Sequence, residues 1–253
     1  MKSNPVTILG LIVFAGLLAA APARAEDAPA PANCEVPAYL LTTESPLSKV
    51  EDAINHRKLE ILVVGSRSST INASEASAYP GRLQAMLQER LPKVAVSVSV
   101  ELQIKKTAEE VASGLGKLAE AKKPALVIWQ TGTYDAMRSI DPDDFRSAVG
   151  EGVAALQNAG ADVVLMNLQY SPRTETMIST PPYLDNMRVV AQEHNVPLFD
   201  RFAIMHHWSD SGDFDLFSTS HGLDLAKRVH DCLGRALSKF VIEAAHVSPA
   251  QQN

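Results

Sequence analysis

Residues 59–70 read LEILVVGSRSST, an apolar run that ends at Gly65 and passes into small hydroxyl residues. The run does not alternate between polar and apolar residues and is rich in Ile and Val, which is typical of a central parallel strand covered on both faces. Three serines, Ser66, Ser68 and Ser69, follow its carboxyl end, the edge at which open α/β sheets bind ligands. Serine is also a common turn residue, so this stretch alone leaves both a polar turn and a functional loop open.

Strand-like and helix-like patterns alternate along the rest of the chain. Predicted strands cover 59–64, 94–102, 125–129, 161–168 and 196–199, and predicted helices cover 45–56, 79–91, 107–122, 142–158, 181–193 and 223–245. Repeated strand-helix alternation with right-handed crossovers predicts an α/β fold, a three-layer, doubly wound sheet of about five parallel strands of the flavodoxin-like type. The strict alternation within 94–102 places that strand near an edge of the sheet.

Two helix starts carry specific signals. Ser45 followed by Pro46 predicts the cap and the first turn of the first helix. Thr107, with Glu110 three residues later, predicts a capping box at the start of the helix that ends at Lys122.

Polar clusters follow the predicted strands, and the topology brings them to one edge of the sheet. They lie at 66–69, 131–135, 169–173 and 200–201, and in the loop 209–221 before the last helix. A serine after the first strand and His221 before the last helix are therefore expected to meet across a crevice. A serine hydroxyl becomes a nucleophile when an imidazole takes its proton and an acid orients that imidazole. No Gly-x-Ser-x-Gly elbow occurs, which disfavours the usual α/β-hydrolase arrangement.

The order and spacing of these segments over residues 59–237 resemble those of the SGNH/GDSL hydrolases. The strand followed by GSRSST resembles the block in which that family carries its serine nucleophile, and KPALVIWQTGTYDA at 123–136 resembles its third block. The resemblance implies that Ser68 is the nucleophile, His221 the base and Asp215 the acid that orients the base. It also implies oxyanion-binding or substrate-binding roles for a further group, namely Ser69, Gly132, Tyr134 and Asp135.

Three positions depart from the pattern of that family. Tyr134 stands where the family has an asparagine, Lys105 stands where a glycine follows the second strand, and Ser218 stands where an aspartate precedes the histidine by three residues. The first two replacements remove donors that would bind an oxyanion. The third leaves Asp215 as the nearest acid before His221.

The resemblance implies one of two functions. The first is an exported serine hydrolase that acts on carboxylic ester bonds, with a small molecule or a glycan carrying an acyl or acetyl ester as its substrate. The second is a catalytically impaired SGNH-fold binding module of the cell envelope. Because Arg67 separates Ser66 from Ser68, Ser66, Ser68 and Ser69 all remain candidates for the nucleophile.

The composition disfavours several other partners. The chain has 23 Lys and Arg against 29 Asp and Glu, a net charge of −6, with no basic run, so nucleic acid is not expected as a partner. Neither common glycine-rich phosphate loop is present, and no cofactor is predicted. His206 and His207 with the aspartates after them lack the spacing of zinc or calcium ligands, so a solvated loop without metal is expected there. No stretch after the amino-terminal run is long enough to predict a membrane-spanning helix.

The amino terminus predicts export. Lys2, the apolar run 6–20 and the Ala-Arg-Ala at 23–25 have the form of a secretory signal that is cut after Ala25. The predicted organisation is a signal peptide at 1–25, a Pro/Ala linker and amino-terminal arm at 26–44, and one SGNH hydrolase-like domain at 45–253 in a periplasmic or secreted protein. Cys34 and Cys232 both lie in the exported part, where an oxidising compartment allows a disulfide. Two unrelated buried thiols are the alternative, because a sequence does not give the distance between them.

Export has a direct test. Mass spectrometry of protein recovered from the periplasm or the medium should show a chain that begins at Glu26, because small residues precede the predicted cut. An Ala23→Glu/Ala25→Glu variant should remain uncut. Recovery of the parent only as a full-length cytoplasmic protein would reject the signal peptide.

Overall fold

The computed structural model describes residues 34–72, 74–217 and 222–247. Within them, five parallel strands form one sheet in the order β2-β1-β3-β4-β5. The strands are β1 (Lys58–Gly65), β2 (Ala95–Leu102), β3 (Leu126–Gln130), β4 (Asp162–Met166) and β5 (Leu198–Phe199). The predicted doubly wound α/β fold is therefore confirmed, with β2 at an edge as the alternating pattern indicates.

The helices follow the strands in the predicted alternation. They are α1 (Ser48–Asn55), α2 (Tyr79–Arg90), α3 (Ala108–Lys122), α4 (Thr133–Arg138), α5 (Pro142–Asn158), α6 (Pro172–Glu175), α7 (Pro181–Glu193), α8 (Arg201–Asp210) and α9 (Gly222–Ala244). Helices α5 and α7 have the predicted bounds, and Thr107 with Glu110 forms the predicted capping box of α3. In the described part of the chain, no helix has the length and apolarity that a membrane crossing requires.

Two sequence predictions about helices are wrong. Helix α1 begins at Ser48 rather than after a Ser45 cap, because the amides of Lys49 and Val50 donate to Asp162 Oδ2 at 2.8 and 3.0 Å. A carboxylate from β4 thus supplies the cap that a local serine was expected to supply. His206 and His207 lie in α8 rather than in a solvated loop, and His206 Nδ1 is 2.9 Å from Asp210 Oδ2, one helical turn away.

The core lies on both faces of the sheet, as the continuous apolar run of β1 predicts. Successive residues of β1 point to opposite faces. Ile61 and Val63 pack in the cluster that includes α1, α2 and α9. Leu62 and Val64 pack in the second cluster, with α3, α5 and α7. Because both faces are covered, polar side chains near the sheet centre are confined to the strand ends.

The amino-terminal arm is covalently tied to the last helix. Cys34 and Cys232 form a disulfide with their Cα atoms 5.3 Å apart, so the alternative of two unrelated thiols is excluded. Trp208 Nε1 also donates to the backbone oxygen of Glu35 at 2.8 Å. The bond joins residues separated by 198 positions and therefore closes almost the entire described chain into a loop.

Loss of this disulfide should destabilise the protein without changing its fold. By the chain-entropy model, a Cys34→Ser/Cys232→Ser variant should lose about 5 kcal/mol of unfolding free energy, because its unfolded chain is no longer closed into a loop. Urea denaturation of the oxidised parent and the variant measures the difference. The reduced parent is the matched control and should resemble the variant, whereas equal stability of all three forms would contradict this role.

Candidate active site

The serines after β1 lie in a short 3-10 turn at the carboxyl edge of the sheet, Arg67–Ser69. The Ser69 amide donates to Ser66 O at 2.9 Å, and the Ser66 amide donates to Ser69 Oγ at 3.3 Å. A Cβ atom at Gly65 would collide with Ser69 Oγ. Gly65 therefore does more than end the strand, because only a glycine lets the turn fold back this closely.

Gln130 connects all three serines. It is the last residue of β3 and is buried. Its Nε2 donates to Ser66 Oγ at 2.9 Å and to Ser68 Oγ at 2.8 Å. Its Oε1 accepts from Ser69 Oγ at 2.8 Å and from the Tyr79 hydroxyl at 3.1 Å. One amide side chain thus holds the turn against the sheet and orients two hydroxyls toward the same side.

Arg201 is a buried residue that contacts Ser68 and does not line the cavity. It is the first residue of α8 and is 1% exposed. Its Nη1 donates to Ser68 Oγ at 3.2 Å, and its Nη2 donates to Ser68 O at 3.4 Å and to Gln169 Oε1 at 3.0 Å. The guanidinium carbon lies 5.7 Å from the centre of the Tyr79 ring. Burial lowers the pKa of Arg201 to about 10, and the electrostatic interaction with the Tyr79 hydroxyl opposes this shift, so the group remains a cation at neutral pH.

A cavity of about 480 Å³ opens in front of the two oriented hydroxyls. Ser66, Ser68 and Gln130 form part of its wall together with Gly132 and Tyr134. Gly132 has φ +98°, and a Cβ atom there would lie 2.6 Å from Leu168 Cδ1. Glycine at this position is required by both the backbone conformation and the close packing. The volume is sufficient for a small organic ligand.

Asp135 belongs to the cavity wall, but it is buried and its carboxylate binds the start of α3. It is 1% exposed, and its Oδ1 accepts the Ala108 amide at the start of α3 at 2.8 Å. Its Oδ2 is buried and has no hydrogen-bond partner among the described residues. Burial raises the pKa of this carboxyl, and the backbone amides of Ala108, Asp135 itself and Gly132 oppose the shift.

Tyr134, at the position where the SGNH/GDSL resemblance implies an asparagine, also lines the cavity. Its ring is half-buried, and its hydroxyl accepts from Arg138 Nη1 at 3.2 Å. The Arg138 guanidinium carbon lies 5.8 Å from the ring centre. The Tyr134 side chain is therefore held in place by an arginine that lies one helical turn further along α4.

The remaining predicted site residues have different surroundings. Ser69 is buried, and its hydroxyl contacts Gln130 and Tyr79 rather than lining the cavity. Asp215 is exposed, its Oδ1 accepts the Phe217 amide at 3.1 Å, and it is not among the residues that form the cavity wall. His221 lies outside the described residues. The structure thus brings Ser68, Gly132, Tyr134 and Asp135 together at one cavity.

His230 is a buried structural acceptor. Its Nδ1 accepts the Tyr79 amide at 2.9 Å, and its ring stacks on Tyr79 with 5.9 Å between centres. Burial, together with the positive charge of Arg201, lowers the pKa of His230 to about 4. The imidazole is therefore neutral at physiological pH, and its accepting nitrogen is already used.

Gln130, Arg201, Gln169 and Tyr79 have contacts that the family resemblance did not assign. Gln130 and Gln169 directly follow predicted strands, and Arg201 is the second residue after another. This position was the sequence signal that could have identified them. Within the described ranges, no group of three or more His, Cys, Asp or Glu residues is arranged to hold a metal ion.

Comparison with known proteins defines the class. Residues 33–247 match the model of the non-GDSL lipase-like family, and the chain belongs to that family. The letters GDSL do not occur after β1, where the chain reads GSRS. No functionally curated protein matches the sequence.

Solved structures of esterases share the fold. An acetylxylan esterase, Axe2, from Geobacillus stearothermophilus is 17% identical with a TM-score of 0.59, over 72% of this chain and 94% of that one. A lipase/acylhydrolase from Enterococcus faecalis is 18% identical with a TM-score of 0.57, over 73% and 95%. A two-domain esterase, CEX, active on acetylated mannans is 12% identical with a TM-score of 0.66, over 81% of this chain and 55% of that one. These matches confirm the SGNH/GDSL-type fold.

The buried His230 predicts a specific loss of stability in acid. Its folded pKa of about 4 lies below the unfolded value of about 6.5, so the unfolded state binds more protons between these values. Stability from this residue is present above the unfolded pKa and is lost as the pH falls toward 4. Between pH 7 and about pH 4.5 the loss should be about 2 to 3 kcal/mol.

A His230→Gln variant tests this assignment, since glutamine also offers an acceptor to the Tyr79 amide. Urea unfolding at both pH values should show a smaller acid-induced loss in the variant than in the parent. An identical loss in both proteins would show that His230 protonates equally in the folded and unfolded states.

Proposed function

We propose that the protein is an exported serine hydrolase that cleaves carboxylic esters, such as acyl or acetyl esters of small molecules or glycans. The observation that carries the proposal is the position of Ser68. Ser68 forms part of the wall of a cavity of about 480 Å³ at the carboxyl edge of the sheet, and its Oγ accepts hydrogen bonds from Gln130 Nε2 and Arg201 Nη1. Membership of a lipase-like family supports the same reaction class.

The three candidate serines differ in their surroundings. The Ser69 hydroxyl is buried between Gln130 and Tyr79 and is not part of the cavity wall. Ser66 and Ser68 both line the cavity, but Ser68 alone of the two also accepts from the Arg201 cation. A cationic donor stabilises negative charge on the oxygen that it contacts. This contact favours Ser68 as the nucleophile.

The proposed reaction is a double displacement. Ser68 Oγ attacks the ester carbonyl carbon while its proton passes to His221, which Asp215 orients. The alcohol leaves with that proton, and the acyl group stays on Ser68 until water, deprotonated by the same histidine, releases it as the carboxylic acid. Gly132, which carries no side chain, forms the oxyanion side of the cavity, and the Tyr134 and Asp135 segment binds the remainder of the substrate.

A binding module is the second candidate, and a specific observation favours it. Both acceptor sites of Ser68 Oγ are engaged by donors, and Tyr134 with its Arg138 contact replaces the amide donor of the family. Loss of one oxyanion donor alone costs about 100-fold to 1000-fold in turnover. The same cavity would then hold a ligand without cleaving it.

Kinetics on a short ester distinguish the two candidates. With 4-nitrophenyl acetate, the mature protein should turn over slowly, and Ser68→Ala should abolish the rate because the nucleophile is removed. Ser66→Ala should retain measurable activity, and Ser113→Ala, an exposed serine on α3, is the matched control. Tyr134→Asn should raise the rate, by up to about 100-fold if the restored amide reaches the oxyanion.

Two outcomes would contradict the assignment. If Ser66→Ala or Ser69→Ala abolishes the rate while Ser68→Ala does not, the nucleophile is misassigned. If neither 4-nitrophenyl acetate nor acetylated xylan is cleaved by the folded parent, the binding-module candidate is the correct one.

A further inference from the structure

The buried charge of Arg201 has no anionic partner among the described residues. The guanidinium contacts the oxygens of Ser68 and Gln169 and the ring of Tyr79, all of them neutral, and its Nε has no hydrogen-bond partner. The ion pairs within the described ranges do not include it. A buried cation without a counterion is costly. The fold alone gives no reason to retain one directly behind a ligand cavity.

The hydrogen bonds around Arg201 leave donors facing the cavity. A serine hydroxyl has two acceptor sites and one hydrogen. Both acceptor sites of Ser68 Oγ are used by Gln130 and Arg201, so its hydrogen points either to Ser66 Oγ, 3.2 Å away, or into the cavity. In either case, one of the two serine hydroxyls keeps a hydrogen for a ligand. Gln169 also lines the cavity, and because Arg201 occupies its Oε1, its amide donor remains available.

The charged residues of the cavity wall are mainly basic. Arg67, Lys105 and Lys106 line the cavity, and Asp135 is the acidic residue of the same wall. Asp135 is buried against the start of α3. This excess of positive charge stands out in a chain with 23 basic and 29 acidic residues. Clefts lined by charge of one sign concentrate ligands of the opposite sign.

We propose that the cavity selects ligands that carry a carboxylate or phosphate group, which binds near Arg67, Lys105 and Lys106 while an oxygen of the ligand accepts from the hydroxyl of Ser66 or Ser68. Arg201 is a positioning residue in this arrangement, because it orients Ser68 and Gln169 and adds its positive field without contacting the ligand. This proposal concerns the charge of the ligand. It rests on the proposed function only because it assigns the ligand to the same cavity. It applies to an ester substrate and to a ligand that is not cleaved.

A matched pair of probes isolates the charge. Succinamate and succinamide have nearly the same shape, but only succinamate carries a carboxylate, and neither is an ester. Binding to the mature protein is measured by calorimetry and by saturation-transfer NMR at low and high salt. Succinamate should bind about 10-fold or more tightly than succinamide at low salt, and the difference should shrink as salt screens the exposed lysines.

Charge variants locate the effect. A Lys105→Glu/Lys106→Glu protein should bind succinamate about 10-fold less tightly, because two exposed cations of the cavity wall become anions. It should bind succinamide as the parent does. Lys93→Glu/Lys117→Glu replaces two exposed lysines outside the cavity wall and changes the net charge by the same amount. This matched control should bind both probes nearly as the parent does. Arg201→Gln, compared at temperatures below its own Tm, should also weaken succinamate selectively.

Several results would overturn the proposal. Equal affinity of the parent for both probes would do so, as would no binding of either probe at millimolar concentration. A double lysine variant that binds succinamate like the parent would also contradict it, whether or not Arg201→Gln folds. Because the readout is binding of molecules that are not esters, failure of the hydrolase proposal is detected separately, in the ester kinetics.

Discussion

The buried contact between Arg201 and Ser68 is the constraint on which the site depends. A guanidinium removed from water needs acceptors for its donors, and here they come from the turn after β1 and from the segment after β4. Helix α8, the serine turn and Gln169 are therefore fixed relative to one another by a single side chain. Gln130 adds β3 to the same network through its two contacts with Ser66 and Ser68.

This network places functional groups where the sheet topology makes a crevice. In an order of β2-β1-β3-β4-β5, the strand ends of β1 and β3 lie next to each other at the point where the chain changes direction across the sheet. Ser68 and Gln130 stand at those two ends. The wall of the cavity then combines oriented hydroxyls with basic side chains, which suits an oxygen-rich ligand of negative charge.

The fold could be predicted from the sequence because the sequence patterns that indicate it are local. The continuous apolar run of β1, the strand-helix alternation and the capping box at Thr107 each require only neighbouring residues. The start of α1 could not be read in this way, because Asp162 supplies its cap from a distant strand. In α8, Ile204, Met205 and Trp208 recur at helical spacing, but the histidines and aspartates between and after them conceal the pattern. The contacts of Gln130 and Arg201 depend on side-chain geometry that no residue pattern specifies.

Covalent labelling tests most directly whether Ser68 carries an activated hydroxyl in an accessible cavity, as we propose. A fluorophosphonate transfers its phosphorus to an activated serine oxygen, with loss of fluoride, and leaves other serines unmodified. Peptide mapping of the labelled, folded mature protein should place the adduct on Ser68 and on no other serine. An adduct on Ser66 or Ser69, or a folded protein that acquires no adduct, would contradict the account.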